Sequence, residues 1–377
     1  MSNKFFSEIK KNFGFGCMRF PMNGDIVDTE ELSKMVDCFL ENGFNYFDTA
    51  KPYIGGQSET ALKTCLVDRH PRESYILVDK LTSSQFTTEE EILPLFELQL
   101  ERCGVDYFDF YLMHSQNKAF FEKYKKTHAY EIAFDLKRQG KVKHVGISFH
   151  DSADVLEDIL TTYPEIEVVQ IQFNYIDYES QAIQARLCYE VCEKHGKPVI
   201  VMEPVKGGSL ANLPEQAKKV FDDLGDGYSC ASYAMRYAAG FDNIMMVLSG
   251  MSDLAQMEDN VKHMKDFKPL DEREMAAVKK VCEILDSYDT IPCTNCRYCV
   301  DGCPMNIRIP DLFADMNVKK SILGGNADWY YMIHTMSGGK ASECVKCGAC
   351  EKECPQHLNI RELLDTVAEA FEKKEEK

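Results

Sequence analysis

Short apolar runs alternate with stretches of helical spacing along the first 290 residues of a 377-residue chain. The runs are FGFGC (13–17), FNYFDTA (44–50), SYILVDKL (74–81), YFDFYLMH (107–114), VKHVGISF (142–149), VVQIQF (168–173), PVIVME (198–203) and NIMMVLSG (243–250). Between them, apolar residues recur every three to four positions over 29–42, 57–68, 88–103, 128–139, 152–162, 180–195, 227–239 and 253–264. Asp28/Thr29 and Thr87/Thr88 are good helix starts, and Gly43, Gly104, Gly140, Gly196 and Gly240 are good stops. Runs that are apolar almost throughout suit parallel strands covered on both faces. Eight strand–helix units in about 250 residues predict an α/β fold, a (β/α)8 TIM barrel rather than an open doubly wound sheet.

Residues 271–287 form one more amphipathic pattern, and the barrel is assigned to 1–287. The composition then shifts: 293–355 holds eight of the sixteen cysteines and little strand pattern. A small, mostly α-helical domain is expected over 288–366, with IPDLFADMNVKKSIL and ADWYYMIHTM as helices around a Gly-Gly turn at 324–325. Residues 367–377 are assigned to a charged, solvated tail.

Apolar content of 45% and charged content of 28% are those of a folded globular chain. A formal charge of −18 without a basic stripe argues against a nucleic-acid partner. No stretch approaches the roughly 20 apolar residues that span a bilayer, and the N-terminus has no continuous apolar region of a leader, so a cytoplasmic protein is expected. In that compartment sixteen cysteines read as thiols or metal ligands, not disulfides.

Half of those cysteines form a repeated motif. IPCTNCRYCVDGCPMN (291–306) and CVKCGACEKECP (344–355) each contain C-x2-C-x2-C-x3-C-P, through Cys293, Cys296, Cys299 and Cys303 in one copy and Cys344, Cys347, Cys350 and Cys354 in the other. That spacing lets three thiolates wrap one [4Fe-4S] cluster while the fourth, turned away by its proline, reaches a second. Zinc sites instead use close pairs of ligands separated by a longer spacer. The motif resembles that of two-cluster ferredoxins. The resemblance implies one cluster on Cys293, Cys296, Cys299 and Cys354, and another on Cys344, Cys347, Cys350 and Cys303. The long helical gap between the copies points to the α-helical type of ferredoxin domain. The other eight cysteines, the i, i+4 pair Cys188/Cys192 included, read as small buried apolar residues.

Barrel chemistry sits where strands end. Asp48 ends FNYFD, Tyr53 follows in the loop, Lys80 ends YILVDK and His114 ends DFYLMH. A phenol near pKa 10 is a poor acid at neutral pH; an ammonium beside it lowers that value, and a carboxylate keeps the ammonium charged and aimed. An imidazole across the pocket can share a carbonyl oxygen with the phenol.

With FDTAKPYIGGQSE, VDK, YLMH and KVKHVGIS in that order, residues 10–285 resemble the aldo/keto reductases, and the cysteine-rich segment resembles their iron–sulfur branch. The resemblance implies an oxidoreductase acting on a small carbonyl or related substrate. Tyr53 would be the general acid, Lys80 and Asp48 would tune it, and His114 would orient the carbonyl. Ser148 and Gln170 would hold a nicotinamide carboxamide. Met202 stands where the family stacks a tyrosine on the nicotinamide, and Phe149 follows Ser148 where the family often has Asn. Gly250, Met251, Gln256, Asp259 and Asn260 align with the basic 2′-phosphate pattern, of which only the acidic residue and the Asn remain. Lys206, Gly207 and Gly208 offer a cation and backbone N–H groups to a phosphate.

The implied cofactors are therefore two [4Fe-4S] clusters and NAD(P)H, with flavin mononucleotide as the alternative occupant of the barrel mouth. Clusters pass single electrons while carbonyl reduction needs a hydride, and flavin converts between the two. An external electron carrier such as ferredoxin is the expected protein partner, in an anaerobic setting. The alternative of another class is an electron-transfer or redox-sensing protein on a barrel without catalysis. The cluster domain is expected over the C-terminal ends of the strands. The loop 115–128 is expected to shape the substrate pocket, and His128, His144, His150 and His195 read as structural, with His150 beside the pocket.

Overall fold

In a computed structural model of the chain, residues 4–372 are described, apart from 182, 286–289, 292, 294–296, 298, 301, 322–324 and 355–357. The apolar runs become parallel strands: β1 (Phe13–Gly16), then, past a small hairpin β2 (Met22–Asn23) and β3 (Ile26–Val27), β4 (Tyr46–Asp48), β5 (Ile76–Leu81), β6 (Phe108–Gln116), β7 (Val142–Phe149), β8 (Val168–Gln172), β9 (Val199–Met202) and β10 (Ile244–Ser249). Each of the eight pairs with its sequence neighbour, and β1 pairs with both β4 and β10, closing the expected barrel.

The helices outside it include α1 (Thr29–Glu41), α2 (Gln57–Leu62), α3 (Ile92–Cys103), α4 (Lys118–Lys126), α5 (Ala129–Arg138), α6 (Ala153–Thr162), α7 (Ala185–Lys194), α8 (Glu215–Asp222), α9 (Cys230–Ala239), α10 (Leu254–Lys265) and α11 (Glu272–Leu285). Asp28 caps α1 by accepting from the backbone N–H groups of Glu30 and Glu31.

Two apolar clusters make the barrel. One lies between strands and helices; the other fills the interior with Tyr46, Val78, Phe110, Leu112, Ile200 and Leu248 among others. Ile9 and Phe6 plug the N-terminal end, Phe6 meeting Phe110 edge-on at 5.2 Å. Gly146 in β7 is required by close approach, because a Cβ there would stand 2.6 Å from Val168.

The stretch 115–128 is not a bare loop. Asn117 caps α4 by accepting from Phe120 N–H, and the three-residue spacing of Phe121 and Tyr124 buries one face.

The cysteine-rich domain contains α12 (Ile309–Lys320), α13 (Ala327–Met336), α14 (Ala349–Lys352) and α15 (Ile360–Phe371). Its own core joins Ile307, Leu312, Phe313, Ile360, Leu364 and Val367, with cysteines of both motif copies around it. The boundary expected at 367 falls inside α15, since Ile360, Leu364, Val367 and Phe371 recur at helical spacing. Phe371 stacks on Tyr331 with ring centroids 4.4 Å apart. Tail residues 373–377 and Gly324 of the expected turn lie outside the described residues.

This domain packs over the C-terminal ends of the strands. Ala314 and Tyr330 are part of the barrel's outer apolar cluster, with Val318 and Trp329 packed against it. Tyr330 Oη donates to Gln172 Oε1 at 3.1 Å, the Asn326 side chain hydrogen-bonds the Glu203 carboxyl, and Arg308 stands 3.6 Å from Asp151 in the turn after β7.

Candidate active site

Asp48 closes β4, Lys80 lies next to the end of β5, and His114 lies near the end of β6. Tyr53 opens a tight turn in which Ile54, Gly55 and Gly56 have φ of 54°, 60° and 89°. Glycine adopts these angles freely, whereas a β-branched residue there costs about 1–3 kcal/mol. The strain lies immediately beside the phenol that the turn presents.

The structure brings the four residues together. Lys80 Nζ donates to Asp48 Oδ1 at 2.5 Å and to the Thr49 carbonyl at 2.8 Å, and it stands 4.9 Å from the centroid of the Tyr53 ring. An ammonium has three donors, and two of them are used by Asp48 and Thr49. Tyr53 meets His114 edge-on, ring centroids 5.8 Å apart. His114 Nδ1 lies 2.8 Å from Thr82 Oγ1. With the threonine hydroxyl donating, the imidazole proton sits on Nε2.

Burial disfavours charge on Lys80, but Asp48 and Tyr53 outweigh it and hold the ammonium above its ordinary pKa. Burial raises the Asp48 carboxyl, opposed by Lys80 and Gln170. Burial also raises the Tyr53 phenol above 10, against the pull of Lys80. The ammonium was expected to prevail; desolvation is the larger effect here, so the resting phenol keeps its proton. Burial, then Lys80 and His150, push His114 well below 6.5, which leaves it neutral.

The expected cofactor contacts divide into two groups. Ser148 and Gln170 are register partners on β7 and β8, both buried. Ser148 Oγ accepts from Ser115 N–H at 2.7 Å, and Gln170 Nε2 donates to Asp48 Oδ2 at 3.2 Å. Each retains a group for a carboxamide: the serine hydroxyl can donate and the glutamine carbonyl can accept, so the nicotinamide end of a dinucleotide fits. Met202 ends β9, half-buried and in register with Gln172 of β8.

The phosphate end fits less well. Lys206 is not free to meet a phosphate: its ammonium is buried against Asp177 Oδ1 at 2.6 Å, and Asp177 also accepts from Gln172 and Asn174. Gly207 and Gly208, at φ of 65° and 101°, form the expected tight turn. Asn260 donates to Ser249 Oγ, Gln256 is tied to Asp253 and Ser252, and Asp259 accepts from Ser229. None supplies a cation for a 2′-phosphate. Arg19, missed in the sequence, packs its stem 3.2 Å from where a Gly250 Cβ would stand and reaches toward Gly207.

Of the cysteines expected as ligands, Cys303, Cys344, Cys347 and Cys350 line one pocket with Ile307, Ile309 and Leu364. Ile307 N–H points at Cys303 Sγ at 3.5 Å. Four soft sulfur donors in an apolar wall suit an iron–sulfur cluster. Cys293, Cys299 and Cys354 share the domain's core, and Cys296 lies outside the described residues. Arg297, inside the first motif, forms a two-pronged pair with Asp311 at 3.0 and 3.1 Å.

His150, Trp329 and Tyr330 complete the mouth. The His150 ring is 5.8 Å from Trp329 and 6.1 Å from Tyr330. The sequence carried no signal for this contact across domains.

Residues 12–283 match the Aldo/keto reductase family and residues 292–359 match the 4Fe-4S dicluster domain. The chain belongs to the aldo/keto reductase family and carries a C-terminal 4Fe-4S dicluster domain. It is 27% identical over 286 residues to the NADH-specific methylglyoxal reductase of Escherichia coli K12, covering 63% of this chain and 84% of that protein. It is 24% identical over 201 residues to the glyoxal reductase of Bacillus subtilis, covering 52% and 64% respectively. An aldo-keto reductase from Bacillus halodurans in its holo form superposes with a TM-score of 0.58 at 24% identity, covering 72% of this chain and 91% of that one. One from Klebsiella pneumoniae in complex with NADPH gives 0.59 at 17%, covering 74% and 95%. These likenesses show the barrel fold. Among the described residues no helix is long and apolar enough to cross a membrane.

Proposed function

We propose that the protein reduces a small carbonyl compound, with Tyr53 as general acid, and exchanges electrons with that site through two [4Fe-4S] clusters. The observation that carries this reading is the continuous array of Asp48, Lys80 and Tyr53 beside a neutral His114, under the cap that α13 forms. Tyr53 donates its proton to the carbonyl oxygen as charge develops there. Lys80 stabilises the phenolate left behind, and Asp48 keeps Lys80 charged and in place. His114 donates from Nε2 to the same oxygen. Ser148 and Gln170 would orient a carboxamide, with Met202 beside the ring and the Gly207–Gly208 turn near the phosphates.

Nicotinamide supplies a hydride when bound, whereas clusters exchange electrons singly and flavin does both. None of Gly250, Met251, Gln256, Asp259 and Asn260 is a cation, and the cation at that end of the mouth is Arg19, whose stem packs against Gly250. A second reading, flavin mononucleotide in the same mouth, draws on the commitment of Lys206 to Asp177 and on the single-electron chemistry of the clusters. Thiols rather than disulfides throughout the barrel suit a reducing cytoplasm, and oxygen-sensitive clusters suit an oxygen-free one with a small ferredoxin as electron carrier. A non-catalytic electron-transfer role leaves the array around Lys80 without a purpose.

The test is Tyr53→Phe in protein purified without oxygen. Carbonyl turnover should fall by about 10²–10⁴-fold with iron and sulfide content unchanged. Unchanged turnover with every carbonyl substrate would defeat the acid role. The nucleotide released on denaturation distinguishes nicotinamide from flavin.

A further inference from the structure

Two buried nitrogen atoms at the mouth have no hydrogen-bond partner among the described residues: Nδ1 of His150 and Nε1 of Trp329. They come from different domains. His150 follows β7, and its N–H donates to the Gln116 carbonyl at 2.8 Å, which fixes it against the end of β6, close enough to His114 to depress that imidazole's basicity. Trp329 lies on α13, which is pinned by Tyr330 on Gln172 and by Asn326 on Glu203. The two rings meet edge to face, centroids 5.8 Å apart.

A buried polar group without a partner is costly, so a pair of them in one place needs a reason. We propose that His150 and Trp329 bind a hydroxyl group of the substrate, which makes the substrate class a hydroxylated ketone or aldehyde. An indole N–H only donates. Burial pushes the His150 imidazole down to about 4, so it is neutral at physiological pH, and with its proton on Nε2 the orphaned Nδ1 accepts. A hydroxyl accepts from the first and donates to the second at once. A carbonyl or carboxylate oxygen would satisfy only the indole, and an alkyl group would satisfy neither. This assignment rests on carbonyl reduction at Tyr53, and it gives the cluster domain a part in substrate selection.

Trp329 is the chain's single tryptophan, so its emission reports occupancy of this site directly and without turnover. Dihydroxyacetone and pentan-3-one share one heavy-atom skeleton and differ only in hydroxyl against methyl. Titrated into cluster-loaded, anaerobic protein, dihydroxyacetone should change the Trp329 emission and bind at least about 10-fold more tightly than pentan-3-one. In His150→Phe the two should bind within about twofold, and His150→Gln should restore part of the difference. Should His150→Phe fail to fold, Trp329→Phe read by calorimetry serves instead, with the same loss of discrimination. Tyr53→Phe should lose turnover but keep the discrimination, so failure of the acid and failure of the hydroxyl site are told apart. Equal affinities, a preference for pentan-3-one, no response to either compound, or discrimination that survives His150→Phe would overturn the proposal.

Discussion

Lys80 Nζ stands 2.5 Å from Asp48 Oδ1, with neither side chain open to water. Removing one partner of such a pair leaves a buried charge alone, at a cost of about 3–5 kcal/mol. Lys80→Met should therefore destabilise the barrel by roughly that amount in denaturant unfolding and abolish turnover. The double change Lys80→Met with Asp48→Asn should recover much of the stability and none of the activity. A double variant as unstable as the single one would show that the lysine's packing, not its charge, is what the barrel needs.

Cys303 faces the same pocket as Cys344, Cys347 and Cys350, which belong to the other copy of the motif. Cys303→Ala should accordingly remove a cluster held mainly by the second motif. Anaerobic protein should keep about half its iron and sulfide. Adding Cys344→Ala should cost little more metal, whereas adding Cys299→Ala should strip most of the remainder. A reversed order of loss would mean that each motif holds its own fourth cysteine.

The barrel was legible because its strands are buried on both faces, and such strands read as unbroken apolar runs. Asp48, Lys80 and His114 were legible for a related reason: each is a polar residue at the end of such a run. The ligand partnerships of the mouth were not. Lys206 next to two glycines reads as a phosphate contact, and nothing in the spacing reveals that Asp177, 29 residues earlier, claims its ammonium. The bond from Tyr330 to Gln172 spans 158 residues between domains, beyond any periodicity. The continuation of α15 to Phe371 could be read in the recurrence of Ile360, Leu364 and Val367, but the charged residues after it drew the boundary too early.

Arg308 links the cap to the barrel through Asp151 and holds Asp311, itself paired with Arg297 of the first cysteine motif. Arg308→Met removes the cation between two buried carboxylates, so the cap should loosen. Trp329 emission should shift to longer wavelength, and native-state proteolysis between the domains should quicken. Turnover should fall through a higher KM, because Tyr53 and Lys80 keep their own contacts. An unshifted emission would show that Tyr330 and Asn326 suffice to seat α13.

At the opposite, N-terminal side of the barrel, His144 bonds Glu8 and Glu167 at 2.8 and 2.9 Å. Burial opposes charge on His144, but hydrogen bonds to Glu167 and Glu8 outweigh it, and its pKa rises above 6.5. Burial likewise opposes ionisation of Glu167, yet His144 and Lys137 bring its carboxyl down to about 2. A raised histidine contributes stability that is complete below its unfolded value of 6.5 and is lost as pH climbs through the folded value. A lowered glutamate contributes stability that is complete above 4.5 and is lost as pH falls toward about 2. The triad should therefore stabilise most between about pH 5 and 6. His144→Gln should cost about 1–2 kcal/mol in that window, after allowance for partial exposure, and little at pH 9 or above. Unfolding of anaerobic wild type and variant across that range measures the difference, and a cost independent of pH would mean that the ring contributes by packing on Phe6 and Phe110 and not by its charge.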